Sequence, residues 1–277
     1  MIGMLLLAGV CAVAEEKSAP PQTDASETEV IPPDKLPVTP RFRPKSNGKD
    51  YEWAMGRHED LVKQAQTQPI KVAFYGDSLT QFFDDEVWTR EIAPLKGGNF
   101  GISGDKVENL LWRVHNGEAD HMKLKVAVVM IGTNNLGAPA AAPVAAGIEL
   151  VLKTIVKKQP QARILLLGVP PAGWNATDGT RSMAKQINEL LAKFKGRHLC
   201  DAYLDWGHVL LEPDGAMSKT LSKDGWHYTK DGYEAYIKEV KPELLKCLAM
   251  PPKAGTSDFS FPGHDKKTPM TDGTDNT

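Results

Sequence analysis

Three stretches of the chain are apolar at nearly every position: VAFY at 72–75, VAVVMI at 126–131 and ILLLGV at 164–169. None shows the in-out alternation of a half-exposed strand, and such runs are expected of parallel strands buried on both faces. Helical periodicity fills the intervals. Val107, Leu110, Leu111 and Val114 line one helix face, Val144, Ile148, Val151, Leu152, Ile155 and Val156 a second, and Met183, Ile187, Leu190, Leu191 and Phe194 a third. Shorter strands are expected near GGNFGI (97–102) and HLCDAY (198–203), and a last helix from Asp231 to about Leu248, with Pro242 bending it or starting a new turn. Strand and helix alternate throughout, which predicts a parallel sheet covered by helices on both faces.

The ends of the chain have a different character. MIGMLLLAGVCAVA (1–14) holds an apolar run too short to span a bilayer and ends in Ala12-Val13-Ala14, so it reads as a secretory signal peptide cut after Ala14. No Lys or Arg precedes the run, an omission that a start upstream of Met1 would explain. A lipoprotein reading of Cys11 is disfavoured by the bulk of Val10. Residues 15–48 are rich in Pro, Glu, Ser and Thr and read as a disordered tether, and residues 251–277 as a disordered tail. Both segments are expected to be dispensable for catalysis. The domain then spans about 49–250, enough for one α/β core.

Net charge is -2 with both signs mixed, so neither nucleic acid nor an anionic membrane is an expected partner, and no stable membrane insertion is expected once the signal is removed. Small or neutral substrates suit this surface better. Cys200 and Cys247 have no metal-ligand spacing, and their pairing as a disulfide stays open. No cofactor or metal motif stands out.

Candidate chemistry collects where strands end, because ligands on open parallel sheets lie beyond the carboxyl ends. Ser78 follows the first core strand in Gly76-Asp77-Ser78, and Asn134 follows a later one in IGTNN (131–135). A serine hydroxyl needs a base, a group that orients the base, and donors for an oxyanion. KDGWHYTKDGY supplies Asp224 and His227 three residues apart before the last helix. The amides of Gly104 and Ser78 and the side chain of Asn134 could be the donors. Each signal alone has a plain alternative: a turn for Gly-Asp-Ser, a cap or Asx-turn for Asn134, a surface position for His227. His58, His115, His121, His198, His208 and His264 read as ordinary surface histidines. Phe82, Phe83, Trp88 and Trp174 are candidates for an acyl slot, a sugar platform or mere packing.

In their joint order these blocks resemble the GDSL or SGNH hydrolases: GDSL (76–79), NFGISGD (99–105), GTNN (132–135) and DGWH (224–227). The resemblance implies a three-layer α/β/α flavodoxin-like fold and serine-ester hydrolysis without a metal or other cofactor. It makes Ser78 the nucleophile, Asp224 and His227 its triad partners, and Ser78, Gly104 and Asn134 the oxyanion hole. Many members carry aspartate where Asn135 stands here. Residues from about 70 to 248 are similar to the platelet-activating-factor acetylhydrolase catalytic subunits and their bacterial relatives, and also to secreted carbohydrate acetylesterases. A secreted or periplasmic esterase removing short acyl groups, chiefly acetyl from carbohydrate, is therefore expected. The rivals are a lipid esterase, lysophospholipase or thioesterase with the same site, and a non-catalytic binding module on the same fold.

Overall fold

The computed structural model describes residues 41–43, 48–195, 200–251 and 253. The expected signal peptide, nearly all of the expected tether and tail, and the histidines 198 and 264 lie outside them.

Helix α1 (Lys49–Thr67) leads into strand β1 (Val72–Gly76), the single turn α2 (Ser78–Gln81), α3 (Asp85–Glu91) and β2 (Gly97–Gly101). There follow α4 (Val107–Arg113), β3 (Val126–Met130), α5 (Ala141–Lys158), β4 (Arg163–Leu167), α6 (Gly179–Leu191), β5 (Ala202–Leu204) and α7 (Lys230–Ala249). The five strands form one parallel sheet in the order β2-β1-β3-β4-β5. That is the flavodoxin-like arrangement, whose strand order reverses beside β1.

The apolar runs are continuous because each strand feeds two cores. Val72 and Phe74 of β1 pack on one face with Val126, Val128, Leu165 and Leu167, where α7 contributes Tyr233, Tyr236, Val240 and Leu244. Ala73 and Tyr75 face the other side with Ala127, Val129, Ile164 and Leu166, beneath α1, α4, α5 and α6. Pro242 does not break α7, which runs through it. The proline is exposed, so the carbonyl it leaves unbonded one turn back, on exposed Lys238, can reach water. Cys200 and Cys247 are buried free thiols, each pushed by burial to about 11.

Two sequence expectations need correction. His58 is not a surface residue: it is buried on α1, with Nδ1 2.7 Å from Glu118 Oε1. Residues 41–43, assigned to the tether, are packed against the domain, with Phe42 4.7 Å from Trp112 between ring centroids.

Beneath the carboxyl ends of β1 and β2 lies a fully buried arginine, Arg113 of α4. Its Nε donates to Asp105 Oδ2 at 2.6 Å, Nη1 to Phe100 O at 3.2 Å and to Glu118 Oε2, and Nη2 to Gly76 O at 3.1 Å. Burial works against its charge, but Glu118 and Asp105 outweigh it and hold the guanidinium above its ordinary pKa. Arg113→Leu would take this buried cation from both carboxylates, leaving Glu118 only His58 and Asp105 only Arg43 as side-chain partners. We expect a loss of about 3–5 kcal/mol in urea unfolding, and a loss below about 1 kcal/mol would show the network to be incidental.

Candidate active site

Gly76 closes β1 and Asp77 turns the chain into α2. A Cβ at Gly76 would stand 2.2 Å from Thr80 Oγ1 and 2.6 Å from Met130 O, so only glycine lets the turn fold this tightly onto the sheet. Asp77 caps the turn by accepting from the Leu79 amide at 3.0 Å. Ser78 is then the first residue of the turn, where an amide has no carbonyl behind it to bond.

The strand order brings Ser78 together with its expected partners. β2 and β3 flank β1, and Gly76 lies level with Gly101 and Met130. The loops carrying Gly104 and Asn134 therefore leave the sheet on either side of Ser78. Gly104 has φ +79°, in the region that favours glycine. The Asn134 side-chain nitrogen donates to Asp105 O at 2.9 Å, which ties the third block to the second.

His227 arrives from the far end of the chain. The loop before α7 is closed by a bridge between Ser222 and Tyr228 and by Lys223 N donating to His227 O at 2.8 Å. Tyr228 is buried against Trp206 and Tyr233, and the Tyr233 hydroxyl donates to Leu79 O at 3.1 Å, so α7 is fastened to the turn that bears Ser78. His227 Nε2 lies 3.0 Å from Ser78 Oγ, and Nδ1 lies 2.7 Å from Asp224 Oδ2. The other Asp224 oxygen accepts from the Trp226 and His227 amides at 2.9 and 2.7 Å. Partial burial raises the Asp224 pKa, yet these donors outweigh it and hold the carboxyl below its ordinary value. With an anion on Nδ1, Nε2 is the nitrogen left to accept the Ser78 proton.

Other roles were not legible. Asn135 Oδ1 accepts from Val107 N at 3.0 Å, and its Nδ2 donates to Glu108 Oε2 at 3.2 Å. An aspartate here could not donate, and would face Glu108 with a second negative charge. Among the aromatic candidates, Phe83 is buried against Tyr233 and Trp88 packs on Phe74 and Phe83. Trp174 lies against Gly225, in the loop where Gly173 N donates to Gly225 O at 2.9 Å. Phe82 differs: it is 50% exposed with its ring 6.2 Å from that of His227.

The GDSL-like Lipase/Acylhydrolase family profile matches residues 74–235. Human platelet-activating factor acetylhydrolase IB subunit alpha1 is 34% identical over 201 residues, covering 72% of this chain and 86% of that protein. A GDSL-like lipase from Bacteroides thetaiotaomicron shares the fold at TM-score 0.58 and 18% identity, covering 68% of this chain and 97% of its own. A carbohydrate esterase family 3 protein from Talaromyces cellulolyticus does so at TM-score 0.52 and 16% identity, covering 65% and 98%.

Asp77 gives the site a second, unusual carboxyl. Burial pushes it to about 7, with Asp105 adding to the rise, against the opposing pull of the Leu79 amide, the His227 ring and the Thr133 side chain. A folded pKa above the unfolded one means that the native state holds the extra proton between them, so stability falls as pH rises from about 4 to about 7. Asp77→Asn keeps an acceptor for the Leu79 amide and cannot ionise. Its stability relative to wild type should therefore improve by up to about 4 kcal/mol between pH 4 and 8, read by urea unfolding across pH. A difference independent of pH would show that Asp77 stays ionised.

Proposed function

Because this chain belongs to the GDSL-like lipase/acylhydrolase family and is an ester hydrolase, we propose that it is a serine esterase, secreted or periplasmic, that removes acetyl groups from carbohydrate. The observation that carries the catalytic reading is the hydrogen-bonded chain from Ser78 Oγ through His227 to Asp224 at the end of the central strand. The apolar leader motivates the location. For the substrate, support comes from the exposed Phe82 ring beside His227, a face on which a sugar can stack, and from the fold shared with a carbohydrate esterase. The lipid-ester alternative draws on the name of the human relative, and acetyl transfer to water fits either.

Ser78 Oγ attacks the ester carbonyl carbon while His227 Nε2 takes its proton. Asp224 holds the ring in one tautomer and stabilises the imidazolium. The carbonyl oxygen becomes an anion facing the amides of Ser78 and Gly104 and the free N–H of the Asn134 side chain. Collapse breaks the bond to the alcohol, which leaves with the proton returned from Nε2. Water then repeats the cycle on the acetyl-enzyme and releases acetate and free Ser78.

A donor aimed at the oxyanion acts mainly in the transition state. Asn134→Ala should lower kcat on p-nitrophenyl acetate by about 10²- to 10³-fold with little change in KM, while the lost bond to Asp105 O costs about 1 kcal/mol of stability. Near-normal kcat would confine Asn134 to a structural role. Ser78→Ala should abolish turnover. Activity should fall from acetyl to longer p-nitrophenyl esters and extend to acetylated xylan, and a preference for long chains would favour the lipid reading.

A further inference from the structure

The segment before α1 is not idle. Arg41 N donates to Glu108 O at 3.3 Å, Asn109 Nδ2 to Arg41 O at 3.0 Å, and Phe42 packs its ring on Tyr51 and Trp112. These contacts deliver Arg43 to the loop after β2. Its side chain is only 10% exposed. Nη1 donates to Asp50 Oδ1 at 2.6 Å, and Nη2 to Asp105 Oδ1 at 3.2 Å and to Ser103 O. The guanidinium carbon also stands 5.6 Å from the Trp53 ring centroid.

The bond to Ser103 O matters because that oxygen and the Gly104 N–H belong to one peptide unit. No cis bond occurs among the described residues, and in a planar trans peptide the C=O and the N–H point in opposite directions. A donor that fixes Ser103 O therefore fixes the direction of the Gly104 N–H on the far side. It also polarises the unit, which makes that N–H a stronger donor. Something must do so, since Gly104 at φ +79° carries no Cβ and the peptide before it can rotate at little steric cost. Gln81 Oε1 holds the preceding amide, Ser103 N, at 2.6 Å but leaves the Ser103–Gly104 unit free. A Cβ at Gly104 would come 3.3 Å from Arg43 Nη2, so the guanidinium lies directly against this glycine.

We infer that Arg43 is a positioning residue for the reaction, holding the Ser103–Gly104 peptide so that Gly104 N–H meets the oxyanion; this rests on the serine-esterase reading above. It runs against the expectation that residues 15–48 are dispensable for catalysis, because Arg43 lies inside that range. Its contribution arises as charge develops on the substrate oxygen and is small in the Michaelis complex.

The test uses the full chain with p-nitrophenyl acetate. Arg43→Ala should lower kcat about 10- to 100-fold with KM within about twofold, and millimolar guanidinium should restore part of kcat in that variant. Asn134→Ala should gain nothing from guanidinium. If Arg43→Ala unfolds, Arg43→Met, which keeps the apolar stem but has no donor, is read in its place. Unchanged kcat in folded variants, a change confined to KM, or failure of guanidinium to rescue would overturn the inference and leave Arg43 a structural staple. Wild type no faster than Ser78→Ala would instead overturn the serine-esterase reading itself.

Discussion

One buried cation, Arg113, joins the parts that must stay in register at the site. It bonds the carbonyl of Gly76 at the end of β1, the carbonyl of Phe100 in β2, and the carboxylate of Asp105 in the loop between β2 and α4. Burying a guanidinium is costly unless its donors are met. Here four of its five N–H groups have partners, a condition that fixes those partners relative to one another. The segment from Gly76 to Ser78 and the segment from Phe100 to Asp105 are thus held to one point. Glu118 extends the network to His58 of α1, and the Tyr75 hydroxyl donates to the Glu118 carbonyl at 3.1 Å.

The chemistry rests on that frame. Parallel order β2-β1-β3 sets a glycine loop, a serine turn and an asparagine loop side by side, and the Asn134 bond to Asp105 O locks the outer two together. The remaining partner must come from far along the chain, and α7 brings it. Tyr233 fastens this helix to Leu79, while the tight Ser222–Tyr228 loop turns His227 toward Ser78. Phe82 stays uncovered beside the histidine, so the site is open to solvent there.

Much of this was legible in the sequence. VAFY, VAVVMI and ILLLGV announce strands because their two faces meet two different cores, and periodicity of 3.6 marks α4, α5 and α6 equally well. Ser78, Gly104 and Asn134 could be picked out as candidates because they follow strands, and Asp224 and His227 because they stand three residues apart before the last helix. Helix α1 was harder to see, since its buried stripe is Ala54, His58, Leu61 and Ala65, with one large aliphatic residue among them. Arg113 and Glu118 look like solvent-facing charges in WRVHNGE, for pairing across the fold leaves no local pattern. The same is true of Arg43, which sits among prolines and serines that read as tether. The aromatic residues divided only in three dimensions: Phe82 and Phe83 are neighbours in the chain, yet one faces solvent and the other Tyr233.

The proposed chemistry requires that Ser78 carry the activated hydroxyl. Mass spectrometry after treatment with a fluorophosphonate measures this most directly, because the phosphorus forms a bond only with a hydroxyl whose proton can be taken, as fluoride leaves. One adduct per chain is expected, mapped to the peptide containing Ser78 and lost in His227→Ala. An adduct at another serine, or labelling of Ser78 at the same rate without His227, would contradict it.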